Sequence, residues 1–276
     1  MDRQVVKPPF AYYGGKTTLA PVIAGLLPAH DHYVEPFAGS LAVLLAKTPS
    51  RLETVNDLDA DLVNFWRVLR DEPDALARAC ALTPHSRAEY NAAWTPSDDA
   101  VEQARRTWVC ITQNFRPSLD PNGWKRKIGP TSPAMPATIA NFQSRMERVA
   151  QRLLNVSIEC GDALDLIREY GAQATVCLYV DPPYLGTTRQ GAYRHEMTAD
   201  DAHVALADAL NECKASVVLS GYDAPLYTQL FDGWHRLDLK APTTLSGDTD
   251  RIEALWSNRP LREPDLFDQL EDGEVA

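Results

Sequence analysis

An acid, two prolines and an aromatic, Asp181-Pro182-Pro183-Tyr184, end the apolar run Val176-Cys177-Leu178-Tyr179-Val180. The run reads as a buried strand, so the tetrapeptide lies at a strand's carboxyl end, where open α/β sheets build their sites. Consecutive prolines remove two backbone donors and stiffen the chain, leaving the carbonyls of Asp181 and Pro182 to accept hydrogen bonds. A carboxylate, a carbonyl and the Tyr184 ring held together suit an amine on a flat heterocycle: two acceptors for its two N–H groups and a ring to stack on. Taken alone, the same four residues also describe a strand ending in a Pro-Pro turn with a surface tyrosine.

Three other segments carry candidate chemistry. In Val34-Glu35-Pro36-Phe37-Ala38-Gly39-Ser40 a strand runs into a small-residue turn and then an apolar helix. Gly39 can adopt a backbone conformation closed to other residues and lets a ligand approach, while the helix start offers unpaired N–H groups. Val55-Asn56-Asp57 follows, a strand ending in an acid about 20 positions on, where nucleotide-binding βαβ units hydrogen-bond ribose. Asp57 or Asp59 would look the same as a plain helix cap. Tyr12-Tyr13-Gly14-Gly15-Lys16 pairs a turn with rings and a cation. The phosphate-loop spacing G-x-x-x-x-G-K-[ST] is absent there, which excludes a Walker-type ATPase. Lys16 could meet the carboxylate of an amino-acid-like ligand, and Tyr12 its adenine or sulfonium.

The elements that must position these residues alternate. Strand-like runs at His32–Phe37, Arg51–Asn56, Val156–Cys160, Thr175–Val180 and Ala215–Ser220 are interleaved with helical patterns at Ser40–Lys47, Asp59–Arg70, Ala163–Tyr170 and about Ala199–Lys214. This predicts an α/β fold with a mostly parallel, Rossmann-like sheet. Trp234–Leu239 and Ile252–Ser257 are expected to form an antiparallel hairpin at its edge. Between residues 71 and 151 the rhythm breaks into helical stretches (Asp74–Leu82, Arg87–Trp94, Val101–Thr112) and a Pro/Gly-rich loop, Asn114–Pro136. We therefore expect residues 1–70 and 152–262 to form one domain, residues 71–151 a mainly helical insertion, and residues 263–276 an acidic tail.

The formal net charge of −11 runs against a polyanionic partner, but its distribution does not. From Val101 to Arg152, nine basic residues face three acidic ones; from Leu261 onward, Arg262 faces six acids. Cys80, Cys110, Cys160, Cys177 and Cys213 form no CxxC pair, so neither a disulfide framework nor a metal site is expected. No apolar run approaches the roughly 20 residues of a membrane helix, and the first residues lack a signal-peptide pattern; a cytoplasmic protein is expected.

Taken in order, the segments Tyr12–Lys16, Glu35–Gly39, Asp57, Gly161-Asp162-Ala163 and Asp181–Tyr184 resemble the Dam-like class of DNA adenine methyltransferases. Val217–Tyr222 and Arg251–Asn258 are weaker matches. The resemblance implies S-adenosylmethionine as cofactor, with Tyr12, Lys16, Glu35, Phe37, Gly39, Asp57, Asp162 and Asp181 around it, Lys16 near the methionine carboxylate and Asp57 on the ribose. It implies methylation of the 6-amino group of a flipped adenine, Asp181 and the Pro182 carbonyl accepting the amine's hydrogens while Tyr184 stacks the base. It also makes the insertion the target-recognition domain of a monomer acting on double-stranded DNA, with Asn114, Arg116, Lys125, Arg126 and Lys127 at the DNA. One departure stands out: the family's second glycine, two residues after the first, is Leu41 here. An RNA adenine methyltransferase and a non-catalytic DNA-binding relative remain alternatives. A protein-glutamine methyltransferase is disfavoured because such sites favour Asn in place of Asp181.

Overall fold

The computed structural model describes residues 5–126, 134–183, 197, 199–221, 223–241 and 251–262. Its strands are β1 (His32–Glu35), β2 (Leu52–Asn56), β3 (Ser157–Glu159), β4 (Val176–Val180), β5 (Ser216–Gly221), β6 (His235–Ala241) and β7 (Arg251–Ser257), in the spatial order β3-β2-β1-β4-β5-β7-β6. β1 to β5 pair in parallel; β7 pairs antiparallel with both β5 and β6. The order reverses between β1 and β4, so the crevice expected at a topological switch point opens above their carboxyl ends. The terminal hairpin forms, but it is β7 that enters the sheet and β6 that makes the edge.

β4 is buried along its whole length, as its unbroken apolar sequence requires. Alternate residues feed two cores: Cys177 and Tyr179 pack on one face with Tyr33, Phe65, Trp66 and Trp108, while Leu178 and Val180 pack on the other with Val34, Ile167 and Leu210. The second face is covered by α9 (Ala163–Gly171), α10 (Asp200–Asn211) and α11 (Pro225–Leu230).

Chain order up to α9 supplies the first face: α1 (Ala20–Leu26), α2 (Ala42–Ala46), α3 (Ala60–Asp71), α4 (Pro73–Ala81), α5 (Arg87–Ala92), α6 (Ala100–Gln113), α7 (Met135–Gln143) and α8 (Met146–Leu153). In α3, Leu62, Phe65, Trp66 and Leu69 make the one-sided stripe of an amphipathic helix, and the Asp59 carboxylate caps it by accepting from the Asp61 and Leu62 N–H groups. Asp99 caps α6 in the same way, through the Glu102 N–H. The helices of residues 73–153 join the sheet in one continuous core, Trp108 and Ile111 of α6 lying with Phe65 and Tyr33.

Candidate active site

Asp181 follows β4 directly, its side chain 18% exposed. Lys16 Nζ donates to both of its oxygens, at 2.8 and 3.0 Å, and to the Gly14 carbonyl at 3.1 Å. Pro182 is buried, and Pro183 lines the adjoining cleft. Tyr184, expected to stack the base, lies outside the described residues.

The cleft holds about 300 Å³ above the carboxyl ends of the parallel strands. All eight residues that the sequence pointed to around a cofactor line it: Tyr12, Lys16, Glu35, Phe37, Gly39, Asp57, Asp162 and Asp181. The N-terminal motif reaches it by packing on the β1–α2 turn. A side chain on Gly39, whose φ is +47°, would meet the Tyr12 ring at 3.5 Å, and one on Gly15 would lie 3.1 Å from Ser40 Oγ. Asp57 ties the turn to β2, its Oδ2 accepting from the Gly39 N–H at 2.9 Å. Helix capping falls to Asp59, leaving Asp57 at the cleft wall. Asp162 caps α9 through the Leu164 N–H at 2.7 Å and is exposed.

Glu35 stands at the end of β1, where burial pushes its carboxyl up to about 8; the charge of Asp181 adds to the rise, and the Tyr33 hydroxyl, donating at 2.9 Å, opposes it. It is therefore largely neutral at pH 7. Tyr33 and Tyr179, also fully buried, are held well above the usual phenol range for the same reason.

Three polar residues at the site were missed in the sequence. Asn56 Nδ2 donates to the carbonyls of Pro36 and Gly161, joining the loops after β1 and β3. Glu253 on β7 places Oε1 3.5 Å from Lys16 Nζ, and Ser220 on β5 donates to that oxygen at 2.5 Å. An Asn beside the Asp57 motif and an acid inside an apolar strand were the available signals.

Leu41 lies away from the cleft lining. It adopts the left-handed conformation (φ +57°) that favours glycine and buries its side chain completely in the core.

The expected DNA surface divides. Asn114 is fully buried rather than facing outward: its Oδ1 accepts from Tyr90 Oη and the Asn122 N–H, and its Nδ2 donates to the carbonyls of Ser118 and Asp120. It shapes the loop that displays Phe115, 67% exposed, and Arg116, also exposed. That loop adjoins the cleft, since the Tyr13 N–H donates to the Pro117 carbonyl at 2.7 Å. Arg126 is exposed, Lys125 half-buried, and Lys127 outside the described residues. Several other cations in the basic segment are engaged internally. Arg105 and Arg106 pair with Glu102, whose carboxyl they hold down to about 2; Arg105 also pairs with Glu89, and Arg152 pairs with the buried Glu53.

Among the described residues, no group of His, Cys, Asp and Glu is placed to hold a metal ion, and no helix is long and apolar enough to cross a membrane.

The family model of the D12 class of N6 adenine-specific DNA methyltransferases matches residues 12–245. The type II methyltransferase M1.LlaDCHI of Lactococcus lactis subsp. cremoris is 27% identical over 259 residues, covering 87% of this chain and 89% of its own. A DNA adenine methylase of Vibrio cholerae serotype O1 is 27% identical over 251 residues, covering 84% and 87%. A solved rRNA methyltransferase, aviRa from Streptomyces viridochromogenes, is 16% identical with a TM-score of 0.39 over 91% of this chain and 83% of its own, too distant a likeness to argue from.

Proposed function

The chain belongs to the D12 class of N6 adenine-specific DNA methyltransferases, and from that premise we propose that its cleft binds S-adenosylmethionine and that Asp181 presents the target adenine's amine to it. Membership decides for adenine in DNA over RNA and over protein glutamine. The observation that carries the site assignment is the convergence of eight residues, spread from Tyr12 to Asp181, on one cleft.

The residues fit the methyl donor's chemistry. Tyr12 and Phe37 offer rings for a flat purine, Asp57 and Asp162 carboxylates for hydroxyl and amino groups, and Lys16 a cation for a carboxylate. A cleft of about 300 Å³ is at the lower end of the range for small-molecule sites. Once bound, the donor supplies an electrophilic methyl group on a sulfonium.

Adenine's amine is a poor nucleophile because its lone pair is delocalised into the ring. Hydrogen bonds from its two N–H groups to Asp181 and the Pro182 carbonyl localise that pair as the new bond forms, an interaction stronger in the transition state than in the ground state. The amine lies inside a base pair, so the substrate is read as double-stranded DNA with the target base swung out, Tyr184 stacking on it. Residues 71–151 are read as the target-recognition segment, with the 114–127 loop meeting phosphates. The reading extends to an enzyme that acts as a monomer in the cytoplasm.

The test is Asp181→Ala. Methyl transfer to adenine-containing duplex DNA is expected to disappear while the protein melts cooperatively; turnover near the wild-type rate would overturn the assignment.

A further inference from the structure

We propose that Arg87, seated on the Trp124 ring, is a contact for a backbone phosphate of the DNA duplex, which extends the DNA surface from the 114–127 loop onto the start of α5. The proposal rests on the reading of that loop as facing DNA given above.

Two segments far apart in the chain are joined at this place. Gln113, the last residue of α6 and fully buried, accepts through Oε1 from Trp124 Nε1 at 3.3 Å and from the Ser86 N–H at 3.2 Å, while its Nε2 donates to the Pro84 carbonyl at 3.0 Å. Its own carbonyl accepts from the Lys125 N–H at 2.7 Å. His85 closes the junction. Its ring stacks on Trp124, with centroids 4.6 Å and planes 21° apart, and its Nε2 donates to the Lys125 carbonyl at 2.9 Å. The indole is thereby fixed, and the Arg87 guanidinium lies over it, 4.9 Å from the ring centroid.

What holds an arginine decides what else it can bind. Arg105, Arg106 and Arg152 are held by carboxylates, which offset their charge and occupy their N–H groups. Arg87 is held by a ring, and among the described residues no carboxylate pairs with it. Glu89, two positions on, is taken by Arg105. An aromatic face orients a guanidinium without neutralising it and leaves its N–H donors for another partner. Arg87 is exposed, and the ring beneath it directly precedes Lys125 and Arg126 in the chain. The partner that fits is an anion presenting two oxygens to the guanidinium fork, as the two unbridged oxygens of a phosphodiester do. A side chain already oriented by its seat loses less freedom when that anion binds. Such a contact carries no base information, so it strengthens binding to any duplex.

Arg87→Gln removes the charge and keeps a good helix former at the start of α5. Binding isotherms for duplex DNA across salt concentration are expected to show the slope of log K against log salt reduced by about one unit, with a similar loss of affinity on duplexes of unrelated sequence. Arg87→Lys, which keeps a cation, should recover most of the slope. A Gln variant with the wild-type slope overturns the proposal, as does a loss confined to one duplex sequence, which would make Arg87 a base contact. Should glutamine lower the melting temperature, Arg87→Met, which retains an apolar contact with the ring, decides by the same criterion. The wild-type isotherms separate the two ideas: binding without salt dependence fells the reading of the loop as the DNA surface, whereas an ordinary salt dependence that Arg87→Gln leaves untouched fells only the role of Arg87.

Discussion

Asn56 Nδ2 donates to the Gly161 carbonyl at 3.0 Å, across 105 residues of sequence, and the same group donates to the Pro36 carbonyl at 3.0 Å. One amide thus ties together the loops that carry Phe37 and Asp162 to the cleft. Replacing Asn56 with alanine leaves two carbonyls without that donor, at about 1–3 kcal/mol of stability. Because the loops then separate, donor affinity should fall by about tenfold or more, since site geometry depends on such supporting hydrogen bonds. Thermal melting and titration with the methyl donor check both parts; a variant that melts lower but binds the donor as tightly as wild type would limit Asn56 to a purely structural role.

Leu41 leads to an inverted ranking. In an ordinary helix, alanine is better than glycine by about 1 kcal/mol. At φ +57° any L side chain carries a penalty of about 1–2 kcal/mol that glycine escapes. Both Leu41→Ala and Leu41→Gly lose a fully buried side chain, a loss of about 2–5 kcal/mol for alanine. We expect both variants to be less stable than wild type, with the glycine variant the better of the two. Denaturant unfolding of the pair measures this, and an alanine variant more stable than the glycine one would contradict it. The leucine is thus retained for the core at the expense of its backbone.

What the sequence disclosed and what it hid divide along the range of the interactions. Asp181 and Asp57 are legible because each stands at the end of an apolar strand, and strand ends in an alternating α/β chain converge on one edge. Glu253, Ser220 and Asn56 work through partners that only the sheet order brings near, so an acid in an apolar strand and an Asn beside Asp57 were the faint traces they left. Charge counting failed in two ways: Glu89 and Glu53 reach Arg105 and Arg152 only in the fold, whereas Glu102 engages Arg105 and Arg106 within one helix, at spacings of three and four residues. Asn114 sits in a loop of surface composition, yet it is the peg on which that loop closes. The prolines before it hide α7, whereas α8 is legible in its spacing: Met146, Val149, Ala150 and Leu153 fall on one helical face and are all buried.

The division of the basic residues predicts two behaviours in salt. Neutralising Lys125, Arg126 and Lys127 together should weaken DNA binding and reduce the slope of log K against log salt by up to about three units. Neutralising Arg105 and Arg106 should leave the slope unchanged while lowering the melting temperature, because both are already paired with carboxylates. Binding isotherms across salt concentration distinguish the two; a slope that responds to the second pair and not to the first would refute this placement of the DNA surface.

Glu35 should leave a signature in stability against pH. Its carboxyl is raised from an ordinary 4.5 to about 8 in the folded protein, chiefly by burial. Between those values the unfolded chain is ionised while the folded one retains a proton, so folding takes up a proton and the folded state loses ground as pH rises. Below about 4.5 the group contributes no difference, and above about 8 its full penalty is present. Glu35→Gln removes this titration while keeping an acceptor within reach of Tyr33. Relative to wild type, the Gln variant should gain on the order of a few kcal/mol between pH 5 and pH 8, whatever its stability at pH 5. Urea unfolding of both proteins at the two pH values isolates the effect, because the other titrating groups largely cancel in the difference. A difference independent of pH would show that the Glu35 carboxyl is ionised in the fold after all.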